Sequence, residues 1–536
     1  SQVPRAKIPR SSFNRSHGVK TTFDADYLIP VLVDPVVPGD SYNVEMNFVA
    51  RLATPLYPLM DNLVLESFFF FVPNRLVWDN WEKFCGAQED PNDSIDYTIP
   101  VVSGSTARTG EGSLWDYFGL PLDNGAGAHV DPDDVTVSCL PWRGYQLIWN
   151  EWFRDQNLQN TKDVTTDNGP DILTTNTDTF GANDILATPI KRGKRHDYFT
   201  SSLPAPQKGT AATSAVTFTS DAWVKGIGIP TSETTSATYA NIQESDGSTV
   251  THAPYYDTVG DIVSIDADVQ DGYPQIYADL STGAATVGIN DLRLAFQTQR
   301  LLERDARSGT RYNETILAHF GVVVPDFRVQ RPEFLGGGSS PIAINQVQNN
   351  SGSSGDLGDL AAFGIVSGTH GFTKSFVEHG YIIGMVNVRG DITYHQGIER
   401  HWGWSTRYDH YYPVLSQLGE QSVLNREIYC QGDGATNDDN VFGYQERYAE
   451  MRYKPSRVTG LMNPNASGTL AAWHLAEDFT SLPTLGDTFI QAETETPLDR
   501  AIATPTEPHI IFDGYFSMKC ARPMPLYGVP GNLDHF

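Results

Sequence analysis

Cysteine is scarce in this chain of 536 residues, and the four cysteines lie far apart, at positions 85, 139, 430 and 520. No two of them form a CxxC pair, so the sequence holds no metal ribbon. Two disulfides would suit a secreted protein, but the opening residues, SQVPRAKIPR, contain no apolar segment that resembles a signal peptide. We therefore expect buried thiols in a chain made in a reducing cytoplasm.

Long apolar runs and basic residues are also few. No run approaches the roughly 18 to 20 apolar residues of a membrane span. The chain has 37 Lys or Arg against 65 Asp or Glu, which gives a net charge of −28. Such an acidic surface argues against a general nucleic-acid-binding protein, because that class is basic. The 47 glycines, 33 prolines and 11% aromatic residues predict a substantial core joined by many turns.

Common catalytic motifs are absent as well: there is no GxSxG, no HExxH, no GxxxxGK[ST] and no GxGxxG after a strand. The group His395, His401 and His410 lacks the spacing of metal ligands. The segment DADVQDG at 266–272 has acids at positions 1, 3 and 6, but Tyr277 stands where a calcium loop has glutamate. We predict that the protein is not an enzyme and has no catalytic residue, metal site or cofactor.

The most apolar stretch is 63–85, LVLESFFFFVPNRLVWDNWEKFC. Residues 64–72 predict a strand covered on both faces, because the run from Phe68 to Val72 is continuously apolar. Pro73 is expected to end this strand and Asn74 to cap a helix. The predicted apolar stripe of that helix consists of Val77, Trp81, Phe84 and Cys85, with Gly86 as its stop.

Further strands are predicted near both ends of the chain, at 27–33, 42–52, 381–389 and 510–520. Helices are predicted at 114–118, after Pro141 and from Asn290, whereas the Gly/Ser/Asn-rich segment 336–358 is expected to be a flexible loop or to wrap over a neighbour. This pattern suits an antiparallel β-domain with large insertions. The eight-stranded jelly roll is one such fold, although periodicity alone does not distinguish it from another sandwich.

Basic residues concentrate in three places that could meet nucleic acid. Residues 1–22 hold no acid and are expected to form an extended arm, either a disordered tail or an arm that touches neighbours or phosphates. The segment KRGKRH, 191–196, is the densest basic cluster, and the alternative there is a solvated loop. Around residue 400, bases alternate with tryptophans, as in proteins that stack on unpaired bases; the alternative is a buried aromatic corner in which arginines pair with Glu399 and Asp409. The candidate residues are Arg5, Lys7, Arg10, Arg15, Lys20, Lys191, Arg192, Lys194, Arg195, Arg400, Trp402, Trp404 and Arg407.

The composition changes after residue 209. Residues 211–250 contain 14 Ser or Thr, and residues 201–290 contain ten acids and two bases, a net charge of −8. Short strand-like pieces alternate there with turn residues. We predict a self-contained, acidic, β-rich surface insertion over 210–288.

Several long segments resemble one family. They are SHGVKTTFDADYLIPVLVDPVVPGDS, ARLATPLYPLMDNLVLESFFFFVPNRLVWDNWEKF, GKRHDYFTSSLPAPQKG, PVLSQLGEQSVLNREIY, FGYQERYAEMRYKPSRVTG and the final NLDHF. In this order they resemble the major capsid protein of gokushoviruses, small single-stranded DNA bacteriophages of the microvirus family. The resemblance covers most of the chain and fails over 210–288.

The resemblance implies a mainly β fold, a viral eight-stranded antiparallel jelly roll with long helical and loop insertions. The implied division is a basic N-terminal arm (1–22), the first part of the jelly roll (23–209), a variable insertion (210–288) and the remainder of the jelly roll (289–536). In this family such an insertion protrudes at the threefold axes. The expected packing residues there are Trp223, Val224, Ile227 and Ile229.

The function implied is that of a coat protein, sixty copies of which form a T=1 icosahedral shell around circular single-stranded DNA. The family also implies an internal scaffolding protein, a DNA pilot protein, a small DNA-binding protein and a host receptor as partners. The expected location is the virion, after assembly in the host bacterial cytoplasm. From another class, a secreted all-β carbohydrate-binding protein or polysaccharide hydrolase would also combine acidic charge, aromatic residues and a jelly roll.

Overall fold

A computed structural model describes residues 9–88, 90–105, 108–122, 135–175, 183–210, 289–307, 318, 330–350, 358–432 and 437–527, together with the backbone of eight short strands between 217 and 286. The chain divides into two compact units, one formed by Ser1–Pro206 with Gly309–Phe536 and the other by Gln207–Ser308. Within these described ranges, no helix has both the length and the apolar character to cross a membrane.

Ten strands of the first unit form two antiparallel sheets. They are β1 (Ser11–Asn14), β2 (His17–Phe23), β3 (Ile29–Val36), β4 (Ser41–Leu52), β5 (Leu63–Pro73), β6 (Glu333–Pro341), β7 (Ala343–Gln348), β8 (Leu360–Ser375), β9 (Gly380–Gly390) and β10 (Ile510–Arg522). One sheet has the order β1-β10-β4-β8-β7, with β2 also paired to β10, and the other has the order β6-β5-β9-β3.

The main core lies between these two sheets. In β4, alternate residues from Tyr42 to Leu52 are buried and the residues between them face outward, as the period of two requires. Met46 and Phe512 of one sheet belong to the same apolar cluster as Phe69 and Ile382 of the other. The chain passes between the two sheets from β2 to β3, β3 to β4, β4 to β5, β6 to β7, β8 to β9 and β9 to β10. This is the architecture expected of a jelly roll with insertions, and the predicted mainly β fold is confirmed.

Strand β5 is covered on both faces, as its sequence predicts. Phe69 and Phe71 face the main core, whereas Phe70 and Val72 face a second core. The second core contains the helix Leu140–Ile148, which begins one residue before the predicted start at Pro141 and continues as a π-helical turn, Trp149–Phe153. Both sides of β5 therefore exclude water, and this accounts for four consecutive phenylalanines.

The helix predicted after β5 is wrong as a continuous element. Asn74–Leu76 is a 3₁₀ turn without a side-chain cap, and only Trp81–Phe84 is α-helical. Trp78, which is outside the predicted stripe, is fully buried, while Phe84 and Cys85 are exposed. Because the segment is interrupted between Leu76 and Trp81, its residues do not follow one helical period. Trp78 is therefore buried in place of Phe84 and Cys85, which a 3.6-residue spacing predicts.

The predicted flexible loop at 336–358 is also wrong over most of its described part, because β6 and β7 run through it. Strand β6 pairs with β5 in antiparallel register. A Cβ atom on Gly337 would overlap the carbonyl oxygen of Ser67, and one on Gly338 would overlap the ring of His370. The glycines are needed for this close approach, and they removed the apolar pattern that would have identified a strand.

Residues 11–23 differ from the predicted arm as well. They are extended, but β1 and β2 pair with β10 across the registers Ser11↔Arg522 and His17↔Phe516. These residues therefore belong to the sheet and are not part of a free arm.

The remaining elements of the first unit are short. They lie in the two longest connections, one between β5 and β6 and the other between β9 and β10. Antiparallel pairs join Val101–Ser103 to Thr136–Ser138 and Glu420–Leu424 to Val441–Glu446; parallel pairs join Ile172–Thr174 to Asp184–Leu186 and Thr393–Tyr394 to Ala476–Glu477. The short helices are Leu114–Tyr117, Asn425–Ile428, Asp487–Ile490 and Glu495–Asp499, and the 3₁₀ turns are Arg400–Gly403, Pro413–Gln417, Ala449–Met451, Gly460–Met462 and Ala471–Trp473. A third apolar cluster, which includes Phe199, Val423 and Phe442, supports several of the elements between residues 420 and 490, whereas those between residues 101 and 186 pack in the second core.

The second unit contains the helix Ile289–Arg307 and four small antiparallel pairs. Two of the pairs are nested: Thr217–Phe218 pairs with Ala285–Thr286, and Trp223–Lys225 pairs with Tyr277–Asp279. The others join Ile229–Pro230 to Ile242–Gln243 and Tyr255–Asp257 to Ile262–Ser264. The calcium-like segment 266–272 lies outside the described residues.

All four cysteines are free thiols. Cys139 and Cys520 are buried as expected, but Cys85 is exposed and Cys430 is half-buried, so the expectation of buried thiols is wrong for these two. Burial raises the pKa of the Cys139 thiol well above its ordinary value.

Candidate nucleic-acid interface

The described bases of the N-terminal segment all contact their own chain. Arg10 donates to the carbonyl oxygen of Gly39 at 2.6 Å, and Arg15 pairs with Asp34. Lys20 pairs with Asp513 at 2.6 Å across β2 and β10. Arg5 and Lys7 lie outside the described residues. Of the five predicted bases, Arg15 is therefore neutralised by a carboxylate of β3 in the opposite sheet, and Lys20 by a carboxylate of β10 in the same sheet.

The basic cluster at 191–195 is held in an ion-pair network. Lys191 pairs with Glu495 at 2.9 Å, Lys194 with Glu477 at 2.5 Å and Arg195 with Asp391 at 2.8 Å. Arg192 pairs with Glu66 from β5. The cluster is therefore not a solvated loop, because acids from four distant parts of the chain surround it.

Arg192 and Arg389 share the single carboxylate of Glu66. Burial and the charge of Arg389 lower the pKa of Arg192 to about 10. Burial alone would raise the pKa of Glu66, but the two guanidinium groups outweigh it and the pKa is lowered. Arg192 and Arg389 line a cavity of about 470 Å³ whose aromatic wall includes Phe68 and Phe153. The guanidinium of Arg192 lies 4.7 Å from the ring centre of Phe68.

The third predicted group borders a cleft of about 380 Å³. Arg400 donates to Glu427 at 2.8 Å and to the carbonyl oxygen of Ser422 at 2.6 Å. Although burial opposes it, the pairing with Glu427 raises the pKa of Arg400. This arginine is therefore fixed in position and remains charged.

The other predicted members of this group differ from Arg400 in exposure. Trp402 is 70% exposed, and Trp404 packs against the ring of His410. Arg407 is exposed and lies 4.9 Å from the ring centre of Tyr408. The structure thus brings Arg400, Trp402 and Trp404 together at one cleft and places Arg407 outside its lining.

The acids suggested for a buried corner have other partners. Glu399 pairs with Lys454 and with Arg457, and these hydrogen bonds lower its pKa. Asp409 accepts the backbone N–H groups of Ser405 and Thr406, which lower its pKa too. The site residues Lys454 and Arg457 were missed by sequence reasoning. The segment FGYQERYAEMRYKPSRVTG carries them, but its letters give no sign that they meet Glu399.

Shielded polar groups in the cleft wall are the hydroxyl of Tyr394, the ring of His395, whose Nε2 lies 3.4 Å from Asp478, and the indole N–H of Trp404, which lacks a hydrogen-bond partner among the described residues. Burial lowers the pKa of His395, so the neutral ring is favoured. A search of the described ranges finds no cluster of three or more His, Cys, Asp or Glu that could hold a metal ion.

The residues predicted to pack in the protrusion are described only in part. Trp223 and Val224 lie in the strand Trp223–Lys225, and Ile229 begins the strand Ile229–Pro230. Ile227 lies outside the described residues. Their predicted packing around a threefold axis stays a prediction.

A two-sheet antiparallel sandwich with long insertions in its connections is the class of fold from which many viral coats are built. The comparisons make the assignment specific: the chain belongs to the family described as capsid protein (F protein), whose model matches residues 1–532. The gokushovirus resemblance is confirmed, and the chain is a major capsid protein whose place is the virion.

Relatives match over nearly the whole chain. The capsid protein VP1 of Chlamydia phage 1 is 41% identical, with 99% of this chain and 97% of the relative covered. The capsid protein VP1 of Bdellovibrio phage phiMH2K is 42% identical over 100% and 98%. The capsid protein VP1 of Spiroplasma virus 4 is 34% identical over 98% and 95%. This membership displaces the alternative of a secreted carbohydrate-binding protein or hydrolase.

Proposed function

We propose that sixty copies of this chain form a T=1 icosahedral shell around circular single-stranded DNA, and that the chain performs no catalysis. The observation that carries the proposal is the match to capsid proteins VP1 across nearly the whole chain. Assembly takes place in the host bacterial cytoplasm, with an internal scaffolding protein, a DNA pilot protein and a small DNA-binding protein as partners.

The bases before β1 are the proposed contact with DNA. Arg5, Lys7 and Arg10 precede the sheet in the sequence, and Arg10, the only one of the three that the structure describes, contacts Gly39 and Ser41 and no carboxylate of the described residues. Because the chain carries a net charge of −28, phosphates near its surface need local cations. The ion-paired cluster at 191–195 and the aromatic group at 400–407 are weaker candidates for contact with DNA, because most of their cations already have acidic partners.

The insertion 210–288 is the proposed host-attachment protrusion. Its first and last described strands pair with each other, so the segment leaves and returns at one place. Such closure lets a loop vary without disturbing the domain that carries it. Trp223, Val224, Ile227 and Ile229 are proposed to pack between three copies, because a small protrusion buries few side chains by itself.

Electron microscopy of particles purified from cells that produce the whole phage tests the shell. Closed particles are expected, with a coat mass of sixty times 59.1 kDa, about 3.5 MDa. Mass measurement of DNA-free and DNA-filled particles gives the copy number directly. A stable 59.1 kDa monomer as the only product in such cells would contradict the proposal.

A further inference from the structure

The segment 398–418 exposes an unusual amount of apolar surface. Six large side chains within it are 49 to 86% exposed: Trp402, Tyr408, Tyr411, Tyr412, Val414 and Leu418. We call this set the 398–418 face. Isolated exposed apolar residues are ordinary, but a group of this size in a short segment marks an interaction site.

The segment is anchored to its own unit. The hydroxyl of Tyr448 donates to the carbonyl oxygens of Tyr408 and His410, and Arg447 donates to that of Tyr408 at 3.2 Å. The ring of Tyr411 packs edge-on against Tyr448 at 5.2 Å. The residues from Pro413 to Gln417 form a 3₁₀ turn. A fixed backbone therefore presents the 398–418 face outward.

The surroundings of this face have the opposite charge from the rest of the chain. Residues 398–418 and 447–470 together contain six Lys or Arg and three Asp or Glu, a net charge of +3 in a chain of −28. Among these cations, Arg407, Arg452, Lys454 and Arg457 are exposed. Arg407 is the one without a carboxylate partner among the described residues, because Arg452 pairs with Glu446 and both Lys454 and Arg457 pair with Glu399. A basic rim around an apolar centre is complementary to an acidic protein surface.

We propose that the 398–418 face binds the acidic surface of a second copy of this chain. This inference rests on the proposed shell and names one of its contacts. The contact is head-to-tail, because the basic face of one copy meets a different, acidic surface of the next. Head-to-tail contacts generate closed rings when the rotation between neighbouring copies closes on itself.

Single-stranded DNA is the rival occupant, since Trp402 and Arg407 offer a stacking ring and a cation. The outermost side chains argue against it. Val414 and Leu418 are aliphatic, so they cannot stack on bases. They are nevertheless 86% and 64% exposed, and in the face only Trp402, at 70%, has a comparable exposure. Aliphatic side chains gain most from burial against another protein.

The test compares two valines that are equally exposed in the described structure. Val414 is 86% exposed in the face, and Val377 is 87% exposed between β8 and β9, outside the face. Val414→Asp is expected to lower the yield of closed particles by about tenfold or more, because the contact would bury an unpaired carboxylate. Val377→Asp is expected to leave the yield unchanged within about twofold. Circular dichroism and thermal unfolding of the unassembled chains check that both variants fold.

A photo-crosslinker at position 414 of assembled particles identifies the occupant. The expected product has twice the mass of the 59.1 kDa chain and contains peptides from two copies. A DNA adduct instead, or Val414→Asp particles of normal yield with less DNA, would overturn the proposal in favour of nucleic acid. Equal yields for Val414→Asp and Val377→Asp would overturn it too. If the unaltered chain forms no shells, the proposed function itself fails.

Discussion

The carboxylate of Asp26 accepts the backbone N–H of Thr494 at 2.6 Å. This hydrogen bond joins the segment before β3 to the long connection between β9 and β10. The same oxygen accepts the N–H of Glu495 at 3.0 Å, while the other oxygen is buried without a partner in the described structure. Asp26 has a left-handed backbone, φ 75°, and its carbonyl oxygen accepts the N–H of Arg192. One buried residue therefore connects three distant segments.

Asp26→Asn should change how stability depends on pH. Burial raises the pKa of Asp26 to about 6, so the folded chain binds this proton more tightly than the unfolded chain. The resulting stabilisation is complete below about pH 4 and is lost as pH rises through about 6. The wild type should thus gain on the order of 2 kcal/mol relative to Asp26→Asn between pH 7.5 and pH 4.

Urea unfolding of both unassembled proteins at several pH values measures this difference. At each pH, the unfolding free energy of one protein is subtracted from that of the other. Groups that titrate in the same way in both proteins then cancel. A difference in unfolding free energy that stays constant across this range would show that Asp26 does not titrate there.

Asp171→Ala should destabilise the chain strongly. Arg143 on the helix Leu140–Ile148 donates to both oxygens of Asp171, at 2.7 and 2.6 Å, and both side chains are fully buried. Removal of the acid leaves the guanidinium with the carbonyl oxygens of Val77 and Asp167, and with the longer contact to the partly exposed carboxylate of Asp167 as its remaining ion pair among the described residues. The expected loss is about 3 to 5 kcal/mol in unfolding free energy.

The matched control for that change is Asp513→Ala. Asp513 pairs with Lys20 at 2.6 Å, but both side chains are largely exposed. Exposed pairs contribute about 0 to 1 kcal/mol, so this variant should unfold almost like the wild type. Equal losses for the two variants would mean that burial of the Arg143 pair does not decide its contribution.

The sequence predicted the strands whose apolar pattern is local. Strand β4 alternates strictly, and β5 is a continuous run, so each shows its burial without knowledge of its neighbours. Strand β6 could not be predicted in this way, because Gly337 and Gly338 are required by Ser67 and His370, which lie hundreds or tens of residues away. Strand β8 was missed for a similar reason: a Cβ atom on Gly364 or Gly371 would crowd Leu52 or the backbone at Val44.

The candidate sites also combine a local pattern, which the sequence shows, with contacts between distant residues, which it does not show. The bases at 191–195 were visible as a cluster, but their acids come from β5, from Asp391 and from residues 477 and 495. Only the fold brings these acids to the bases and turns a candidate DNA contact into an ion-pair network. The cleft around Trp402 likewise depends on Lys454 and Arg457, which no spacing connects to Glu399.

Replacing Arg5, Lys7 and Arg10 with Gln should reduce the DNA content of particles. Each lost cation removes a contact that releases counterions from phosphate, so the deficit relative to the wild type should be largest at low salt and should shrink as the salt concentration rises. The ratio of absorbance at 260 and 280 nm in purified particles measures the DNA content. Lys20→Gln is the control, because Lys20 is already paired with Asp513.

Protease treatment of intact particles provides a second measure of the same arm. Trypsin should spare Arg5, Lys7 and Arg10 in DNA-filled particles, since the arm is proposed to lie inside the shell. Rapid cleavage at these bases in filled particles, or an equal loss of DNA in the Lys20→Gln control, would contradict an inward-facing arm.

Removal of the insertion should separate assembly from attachment. Thr217 and Thr286 are paired in antiparallel register, so their backbones are about 5 Å apart and a short Gly/Ser turn can join them. A chain in which this turn replaces residues 218–285 should still form closed shells, visible by electron microscopy, and should lose adsorption to host cells. Because the deletion removes an acidic segment, a second variant that replaces Trp223 and Val224 with Ser keeps the charge and tests whether the apolar residues matter. Unchanged adsorption of shells that lack the insertion would remove its receptor role, whereas a failure to form shells would make it part of the assembly contacts.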